Sequence, residues 1–324
     1  MTEAERAAAE TVAGQRRIQD EVARADAAAP KEERSFAVQA GARAYPEPPL
    51  PAQHLDKPGL EADLALQPMW DAPYYRGSGK LQDRVAIVTG GDSGIGRAVA
   101  VLFAREGADV AVLHLDEDVD AAETKRAVEA EGRRCLVIAG DVKNRAFCFG
   151  AVEQVVQAFG RLDILVNNAA FQVHSTAFED LTEQHFDETL KTNLYGYFHM
   201  AQAALPHLRA GSAIINTGSV TGIEGSKALV DYSMSKGGIH AFTRALSGNL
   251  LQKGIRVNCV APGPVWTPLN PSDRPADEVA DFGGQAKMGR PAQPEEIAPA
   301  YVFLASPQLS SYITGEILPV VGGY

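Results

Sequence analysis

The sequence predicts an α/β protein with one doubly wound, seven-stranded parallel sheet, helices on both faces of that sheet, and an irregular N-terminal arm. Short apolar, β-branched runs recur along the chain, helical stretches separate them, and this alternation starts only after Lys80. Strands that are buried on both faces and alternate with helices form parallel βαβ units with right-handed crossovers. The 324 residues leave no room for a separate substrate domain beside such a sheet.

The first part of the chain lacks this alternation. Residues 1–45, rich in Ala, Glu and Arg, are expected to form a loosely held tail with a helix from about Glu3 to Ala28. Residues 46–80 are rich in proline and are expected to form an extended arm. This arm carries the apolar side chains Leu64, Leu66, Met69, Trp70, Tyr74 and Tyr75. We expect the arm to pack on the body or on a neighbouring subunit, burying Trp70 and Tyr74 or Tyr75. The alternative is a disordered tail with incidental aromatic residues.

Residues 81–324 are expected to form the domain that contains the sheet. Seven runs are predicted as its strands: 84–89, 110–114, 135–140, 163–167, 213–217, 255–260 and 316–320. Stretches with a 3.6-residue apolar period predict helices at Ile95–Glu106, Ala121–Glu131 and Ala146–Phe159.

Composition and charge exclude several classes of protein. A hydrophobic fraction of 45% and a charged fraction of 22% are typical of globular proteins. The net charge of −11 argues against a nucleic-acid partner, and no apolar stretch approaches the roughly 20 residues that span a bilayer. The N-terminus is acidic and has no apolar run, so we expect a cytoplasmic location. Cys135, Cys148 and Cys259 have no CxxC spacing and are predicted to be free thiols without a metal site.

The most informative motif follows the first predicted strand, where Thr89–Arg97 reads TGGDSGIGR. Gly90 permits a tight turn, Gly94 lets the backbone approach a pyrophosphate, and Gly96 allows the next helix to pack closely on the sheet. That helix would point its N-terminal N–H groups at the phosphate. A glycine triplet alone is weak support, but this one lies between a predicted strand and a predicted helix. The segment therefore predicts a Rossmann-type dinucleotide site.

The choice between NAD and NADP stays open. Dinucleotide sites usually have an acid at the end of the second strand, where this chain has His114. The acids at 116–118 would repel a 2′-phosphate, whereas Arg97 could reach one. The same acids also suit the positive end of the following helix, which would be a purely structural role.

A second motif lies in a long amphipathic segment that runs to about Leu251. Tyr232 and Lys236 are four residues apart and therefore lie on one helix face. Ser219 follows a predicted strand, at the sheet edge where α/β proteins bind ligands. A lysine and a positive nicotinamide ring beside the tyrosine would bring its pKa down towards working pH. YxxxK also occurs by chance in helices, but chance is a poor explanation of this spacing together with the glycine turn and the serine.

These motifs together resemble the short-chain dehydrogenase/reductase family, in its compact single-domain branch. The resemblance runs from about Leu81 to Gly323. It includes TGGDSGIG, Asp141 in GDV, Asn167-Asn168-Ala169-Ala170, Asn193, Ser219, Tyr232 with Lys236, and Pro262-Gly263 with Thr267. Here NNAA replaces the commoner NNAG. The arm resembles that of bacterial members described as general-stress or aldehyde-reductase-like oxidoreductases.

The resemblance implies roles for individual residues. Tyr232 would be the general acid/base, Lys236 its electrostatic partner and ribose ligand, and Ser219 the carbonyl anchor. Asn193 would hold a water that links the lysine to solvent. The implied cofactor-binding set is Gly90, Asp92, Ser93, Gly94, Ile95, Gly96, His114, Asp141, Val142, Asn168, Ala169, Tyr232, Lys236, Pro262, Gly263, Val265 and Thr267. Asp141 and Val142 would contact adenine, and the last three residues would lie by the carboxamide.

The function predicted in this way is hydride transfer between NAD or NADP and a small carbonyl or alcohol substrate. A non-catalytic, dinucleotide-binding redox sensor is the alternative, and a sugar-nucleotide epimerase is disfavoured because the glycine spacing differs. The substrate pocket is expected at 171–178, 220–230 and 264–291, with candidate residues Phe171, His174, Ile223 and Trp266. A homo-oligomer, dimer or tetramer, is expected to form through helices around 182–210 and 232–252.

Overall fold

The computed structural model describes Glu21, Arg24 and residues 37–323 except Thr176. The helix expected from Glu3 to Ala28 lies outside the described residues apart from Glu21 and Arg24, both of which are helical. One compact unit extends from Val38 onwards. It therefore includes residues 38–45, which the sequence analysis had assigned to the tail.

The described chain forms a seven-stranded, all-parallel sheet, as the sequence predicted. The strands are β1 (Val85–Thr89), β2 (Asp109–His114), β3 (Cys135–Ala139), β4 (Ile164–Asn167), β5 (Ala213–Thr217), β6 (Arg256–Pro262) and β7 (Ile317–Val320). Their order across the sheet is β3-β2-β1-β4-β5-β6-β7. Every predicted strand is present, and the predicted ends agree with the observed ends to within two residues.

This strand order creates the crevice in which the site lies. β1 pairs in parallel with β2 on one side and with β4 on the other. The chain therefore winds outwards from β1 in both directions, and the connections that leave β1 and β4 diverge at their carboxyl ends. Open α/β sheets bind ligands at such a switch point.

Helices cover both faces of the sheet. They are α1 (Gly94–Arg105), α2 (Asp118–Ala130), α3 (Arg145–Phe159), α4 (Glu183–Leu190), α5 (Gly196–Ala204), α6 (Thr221–Glu224), α7 (Val230–Leu250), α8 (Ala276–Ala280), α9 (Pro294–Ala305) and α10 (Pro307–Ser310). α1 packs on α9 over one face, while α3 packs on α5 over the other. Alternate residues of β1 enter the two cores, with Ala86 and Val88 in one and Val85 and Ile87 in the other. No helix in the described part of the chain is long and apolar enough to cross a membrane.

The long helix expected around 182–210 is interrupted. A π-helical turn, Lys191–Tyr195, separates α4 from α5 and contains the buried Asn193. The side chain of Asn193 accepts the Phe171 N–H at 2.8 Å and donates to the Phe171 carbonyl at 3.0 Å and to Ser235 Oγ at 3.0 Å. A periodicity of 3.6 residues cannot reveal such a turn, because the turn depends on partners from distant segments.

The arm lies against the body of the same chain. Its backbone pairs with the body at Leu50, whose N–H donates to the Ala280 carbonyl, and at Leu55, whose N–H donates to the Pro271 carbonyl. Its apolar side chains form a separate small core with the body: Leu50, Leu55 and Leu64 pack with Trp266, Val279 and Phe282. Trp70 and Tyr75 are half-buried on the main core, whereas Tyr74 remains 39% exposed.

Ion pairs hold the arm, and the segment just before it, at two buried carboxylates of the body. Glu106 contacts Lys80 at 2.9 Å and accepts the hydroxyl of Tyr75. These donors hold the pKa of Glu106 at about 2, although burial opposes them. Arg43 contacts Glu295, whose side chain is fully buried. Residues that precede the body therefore supply the partners of both carboxylates.

Candidate active site

A cavity of ≈ 670 Å³ opens at the carboxyl ends of the central strands. Among the residues singled out from the sequence, those that line it are Gly90, Asp92, Ser93, Gly94, Ile95, His114, Asp141, Val142, Asn168, Ala169, Ser219, Tyr232, Lys236, Pro262, Gly263, Val265 and Thr267. Gly96 and Asn193 do not line it. The fold therefore brings the glycine turn and the Ser-Tyr-Lys set together around one cavity.

The glycine turn has the geometry of a cradle for an anion. Gly90 and Gly94 have φ angles of +59° and +49°, which side chains rarely permit. A Cβ on Gly94 would lie 2.8 Å from Thr267 Cγ2, and one on Gly96 would lie 1.9 Å from the Gly90 carbonyl oxygen. Gly96 is therefore a packing position behind the cavity. The first-turn amide of Ile95 has no acceptor in the described part of the chain, so the turn fits a pyrophosphate.

The arm reaches this turn, which the sequence analysis did not foresee. Glu61 Oε2 accepts the N–H of Gly94 at 2.7 Å, and Glu61 Oε1 lies 2.7 Å from Arg97 Nη1. Arg97 also lies 3.5 Å from Asp120 and is only 2% exposed. The expectation that Arg97 could reach a 2′-phosphate was wrong, because the guanidinium is already bound by acids of the arm and of α2.

The end of β2 carries both a histidine and an acid. His114 is buried, lines the cavity, and lies 3.5 Å from Asp118. Glu117 also lines the cavity, and its carboxylate accepts the amides of Leu115 and Asp116 rather than capping α2. Lys143 lines the same region beside Asp141. Glu117 and Lys143 thus lie together in the part of the cavity where the resemblance places the adenosine. Because one is an acid and the other a base, the geometry does not favour NAD over NADP.

Tyr232 and Lys236 lie on one face of α7, as their spacing predicted. The Lys236 Nζ atom lies 5.3 Å from the centre of the Tyr232 ring and donates to the Thr217 carbonyl at 2.8 Å. Burial lowers the pKa of Lys236 to about 8. Burial raises the pKa of Tyr232 well above its usual value, Asp273 adds to the rise, and Ser219 opposes it.

The sequence analysis expected the tyrosine pKa to fall under the combined charges of Lys236 and a bound nicotinamide ring. The charge of Lys236 alone does not lower it. The ammonium group is held towards the Thr217 carbonyl, so its attraction does not outweigh the loss of solvent around the Tyr232 hydroxyl.

A threonine and an asparagine connect the neighbouring strands beneath the cavity. Thr89 Oγ1 accepts the amides of Asn168 and Ala169 at 2.8 and 3.0 Å. The side chain of Asn168 donates to the Gly90 carbonyl at 3.0 Å and accepts from Thr217 Oγ1 at 3.1 Å. These bonds hold the ends of β1, β4 and β5 in register around the glycine turn.

Only one of the four residues expected in the substrate pocket lines the cavity. Phe171 lines the cavity, but Trp266, His174 and Ile223 do not. Trp266 is buried in the small core with the arm and donates its Nε1–H to the Leu66 carbonyl at 2.9 Å, so it is a packing residue. Ile223 is 49% exposed on the surface.

His174 belongs to a cluster that joins two loops of the body. Its ring and its backbone amide bind Asp273, which also accepts Gln172 Nε2. Arg274 Nη2 donates to the other ring nitrogen of His174, Nε2, at 2.9 Å. These contacts hold the loop after β4 against the loop after β6.

Lys57 of the arm is a further residue that the sequence analysis missed. Its Nζ donates to the Gln172 carbonyl at 2.7 Å and lies 5.6 Å from the centre of the Phe171 ring. It lines the cavity, and burial lowers its pKa to about 8 although Asp273 opposes that shift. No local signal distinguishes Lys57 from any other lysine, because its partners lie more than one hundred residues away.

Comparison with known proteins identifies the chain's relatives. A family model described as Enoyl-(Acyl carrier protein) reductase matches residues 90–324. General stress protein 39 of Bacillus subtilis is 50% identical over 280 residues, which cover 86% of this chain and 97% of that protein. The glucose and ribitol dehydrogenase of Daucus carota is 48% identical over 84% of this chain and 96% of its own length. The chloroplastic NADPH-dependent aldehyde reductase 1 of Arabidopsis thaliana is 44% identical over 82% of this chain and 95% of its own length.

Solved structures share the same fold. A short-chain dehydrogenase from Burkholderia cenocepacia in complex with NADP has a TM-score of 0.70 and 34% identity, covering 75% of this chain and 98% of that one. A short-chain dehydrogenase from Mycobacterium paratuberculosis bound to NAD has a TM-score of 0.69 and 32% identity, covering 76% of this chain and 98% of that one. Relatives named as dehydrogenases and reductases do not support the alternative of a non-catalytic sensor. The chain belongs to the short-chain dehydrogenase/reductase family and is an oxidoreductase that uses NAD or NADP.

Proposed function

We propose that the protein reduces a small carbonyl compound, or oxidises the corresponding alcohol, in this cavity. Ser219, Tyr232 and Lys236 would be the catalytic residues. The observation that supports this proposal is their position: all three line the same cavity as the glycine turn. A nucleotide bound on that turn would extend towards the three side chains along the carboxyl ends of the strands.

The chain's own groups would manage the proton. The bound cofactor supplies or accepts the hydride at the carbonyl carbon. Burial keeps the Tyr232 hydroxyl protonated until it gives its proton to the carbonyl oxygen, to which Ser219 donates a hydrogen bond. Lys236, whose pKa is about 8, then stabilises the tyrosinate with its ammonium charge. Reduction consumes one proton and one hydride, and oxidation returns both.

The remaining predicted residues would hold the cofactor along the cavity. The Ile95 amide would bind the pyrophosphate, and Asp141 and Val142 would contact adenine. Gly263 and Thr267 would lie by the carboxamide. The Asn193 side chain donates to Phe171 and Ser235 and accepts from Phe171, so a water that it helps to hold would donate to the same oxygen or bind the backbone.

The substrate class is proposed from the cavity and from the relatives together. The relatives are named for an aldehyde and for glucose and ribitol. Phe171 gives the cavity an apolar wall, and the amino group of Lys57 gives it a donor that can bind hydroxyl oxygens. We therefore propose small aldehydes and polyols as the substrates.

A panel of aldehydes, ketones, sugars and polyols tests this proposal. Each compound is offered with each cofactor, and turnover is followed by the absorbance of the reduced nicotinamide. Wild-type turnover that Tyr232→Phe removes is the expected result. Turnover that survives in this variant contradicts the assignment of the catalytic residues.

We also propose a homo-oligomer, because apolar side chains remain exposed on neighbouring helices. Tyr195 and Phe198 are 57% and 48% exposed at the start of α5, and Met234 is 53% exposed on α7. Light scattering tests this proposal, since Phe198→Glu should reduce the mass if these faces meet. The cytoplasmic location stays a prediction that cell fractionation can test.

A further inference from the structure

The carboxylate of Glu61 lies at the amino terminus of α1, although it comes from the arm. It accepts the Gly94 N–H and binds Arg97, each at 2.7 Å, and it is fully buried. The residue at the N-cap position of α1, Ser93, makes no side-chain hydrogen bond to the helix. An acid 33 residues upstream of Gly94 therefore replaces the cap that a helix usually takes from its own sequence.

The arm backbone is fixed at the same place. Asp120 of α2 accepts the N–H of Glu61 at 2.5 Å and the N–H of Ala62 at 3.0 Å. Arg97, which Glu61 binds, stacks 5.3 Å from the centre of the Trp70 ring in the arm. The position of Glu61 is therefore determined by both its backbone and its side chain.

Two amides of the first turn of α1 have acceptors within the described part of the chain. Gly94 donates to Glu61, and Arg97 donates to the Ser93 carbonyl. Ile95 lies between them, lines the cavity, and has no acceptor for its amide among the described residues. Because Glu61 binds the Gly94 amide and the Arg97 side chain, it holds the turn on both sides of Ile95.

We propose that Glu61 is a positioning residue for dinucleotide binding, which holds the first turn of α1 so that the Ile95 amide is presented to the cofactor pyrophosphate. The arm is thereby part of the cofactor site, although Glu61 itself does not touch the cofactor. This inference rests on the proposed placement of the pyrophosphate on the glycine turn.

The full-length chain can be tested with three variants. Glu61→Ala removes the acceptor, whereas Glu61→Gln keeps an acceptor oxygen of the same reach. Glutamine tests one contact at a time, because its amide has a single acceptor oxygen for the Gly94 N–H and its NH2 group cannot accept from Arg97. Asp63→Asn is the matched control, since Asp63 is an exposed acid two residues further along the arm.

Calorimetry with three probes separates positioning from general stability. The probes are the reduced dinucleotide, ADP-ribose, which carries the pyrophosphate, and adenosine, which does not. Glu61→Ala should weaken binding of the first two by about tenfold. The Gly94 N–H and the Arg97 guanidinium lose their acceptor, so the first turn of α1 is no longer held in place for the pyrophosphate. Adenosine should bind as in the wild type. Glu61→Gln, which keeps an acceptor for the Gly94 N–H but not for Arg97, should lose less affinity than Glu61→Ala, and Asp63→Asn should change nothing.

Several outcomes would overturn the proposal. Wild-type affinity of Glu61→Ala for the dinucleotide is one, and an equal loss for adenosine and ADP-ribose, which indicates general damage, is another. If Glu61→Ala does not fold, Glu61→Asp, one methylene shorter, must show the same phosphate-selective loss. Gly94→Val separates the placement of the pyrophosphate from the role of Glu61. Normal cofactor binding by that variant refutes the pyrophosphate placement itself. Loss of binding in Gly94→Val with normal binding in Glu61→Ala refutes only the role of Glu61.

Discussion

The body of the protein and its N-terminal arm contribute to the same cavity in different ways. In the body, the glycine turn and Tyr232 with Lys236 come from short motifs whose spacing already indicates their chemistry. In the arm, Lys57 lines the cavity and Glu61 binds the glycine turn, and both do so only because the chain crosses the body and packs on Trp266 and its neighbours. A segment without a recognisable motif can therefore supply charged side chains to a site and to the turn that supports it.

The largest expected effect lies in the body. Tyr232→Phe should lower kcat by about 10²–10⁴, the usual contribution of general acid/base catalysis, and leave cofactor affinity within a few-fold. In the proposed mechanism the hydroxyl is the proton donor, whereas Lys236 holds the ribose. Tyr312→Phe is the matched control, because Tyr312 is fully exposed. More than about a tenth of wild-type kcat in Tyr232→Phe would contradict the assignment.

Gly94→Val should prevent cofactor binding, as measured by calorimetry. The added side chain would meet Thr267 at 2.8 Å and would be strained at a φ of +49°. Gly248→Val is the control, since Gly248 lies on the exposed face of α7 and nothing lies within 4 Å of its added Cβ. Normal dinucleotide affinity in Gly94→Val would show that the cofactor lies elsewhere.

Two deletions compare the arm with the tail. Removing residues 1–78 should lower the melting temperature by on the order of 10 °C, because Trp266 loses its partners and Arg97 loses Glu61. Removing residues 1–37 should have little effect, since the compact unit begins at Val38. The sequence alone assigned residues 1–45 to a tail that could be removed with little effect. Residues 38–45 are retained here because Arg43 pairs with the buried carboxylate of Glu295. Equal melting temperatures for the two deletions would show that the arm does not stabilise the body.

The smallest expected effect concerns pH. The value of kcat/KM for carbonyl reduction should fall above about pH 8, by up to about tenfold for each further unit. The sign follows from the two pKa shifts. Burial lowers the pKa of Lys236, so the ammonium charge is lost as the pH rises through 8, whereas the raised pKa of Tyr232 keeps its proton in place. A profile that stays flat well above pH 8, in a protein whose melting curve shows it folded, contradicts this role of Lys236.

Much of the fold and of the cavity lining was predictable from local pattern. Every strand was found to within two residues, because a buried parallel strand leaves a continuous apolar run bounded by glycine or polar residues. The glycine turn was recognisable because its conformations exclude side chains. Trp266 was wrongly expected in the substrate pocket, because its residue type does not specify its surroundings. A large aromatic side chain in a loop packs equally well on a substrate or on another segment of the chain.

The sequence by itself determined the sheet, the order of its motifs and the face of α7 that carries Tyr232 and Lys236, because these depend on contacts between near neighbours or on a repeating period. Only the tertiary structure decided which charges are buried together. Glu61 meets Arg97, and Lys57 meets Phe171, through a path of the arm that no periodicity encodes. Burial also decided the direction of the Tyr232 pKa shift, since the loss of solvent around a hydroxyl depends on everything packed against it.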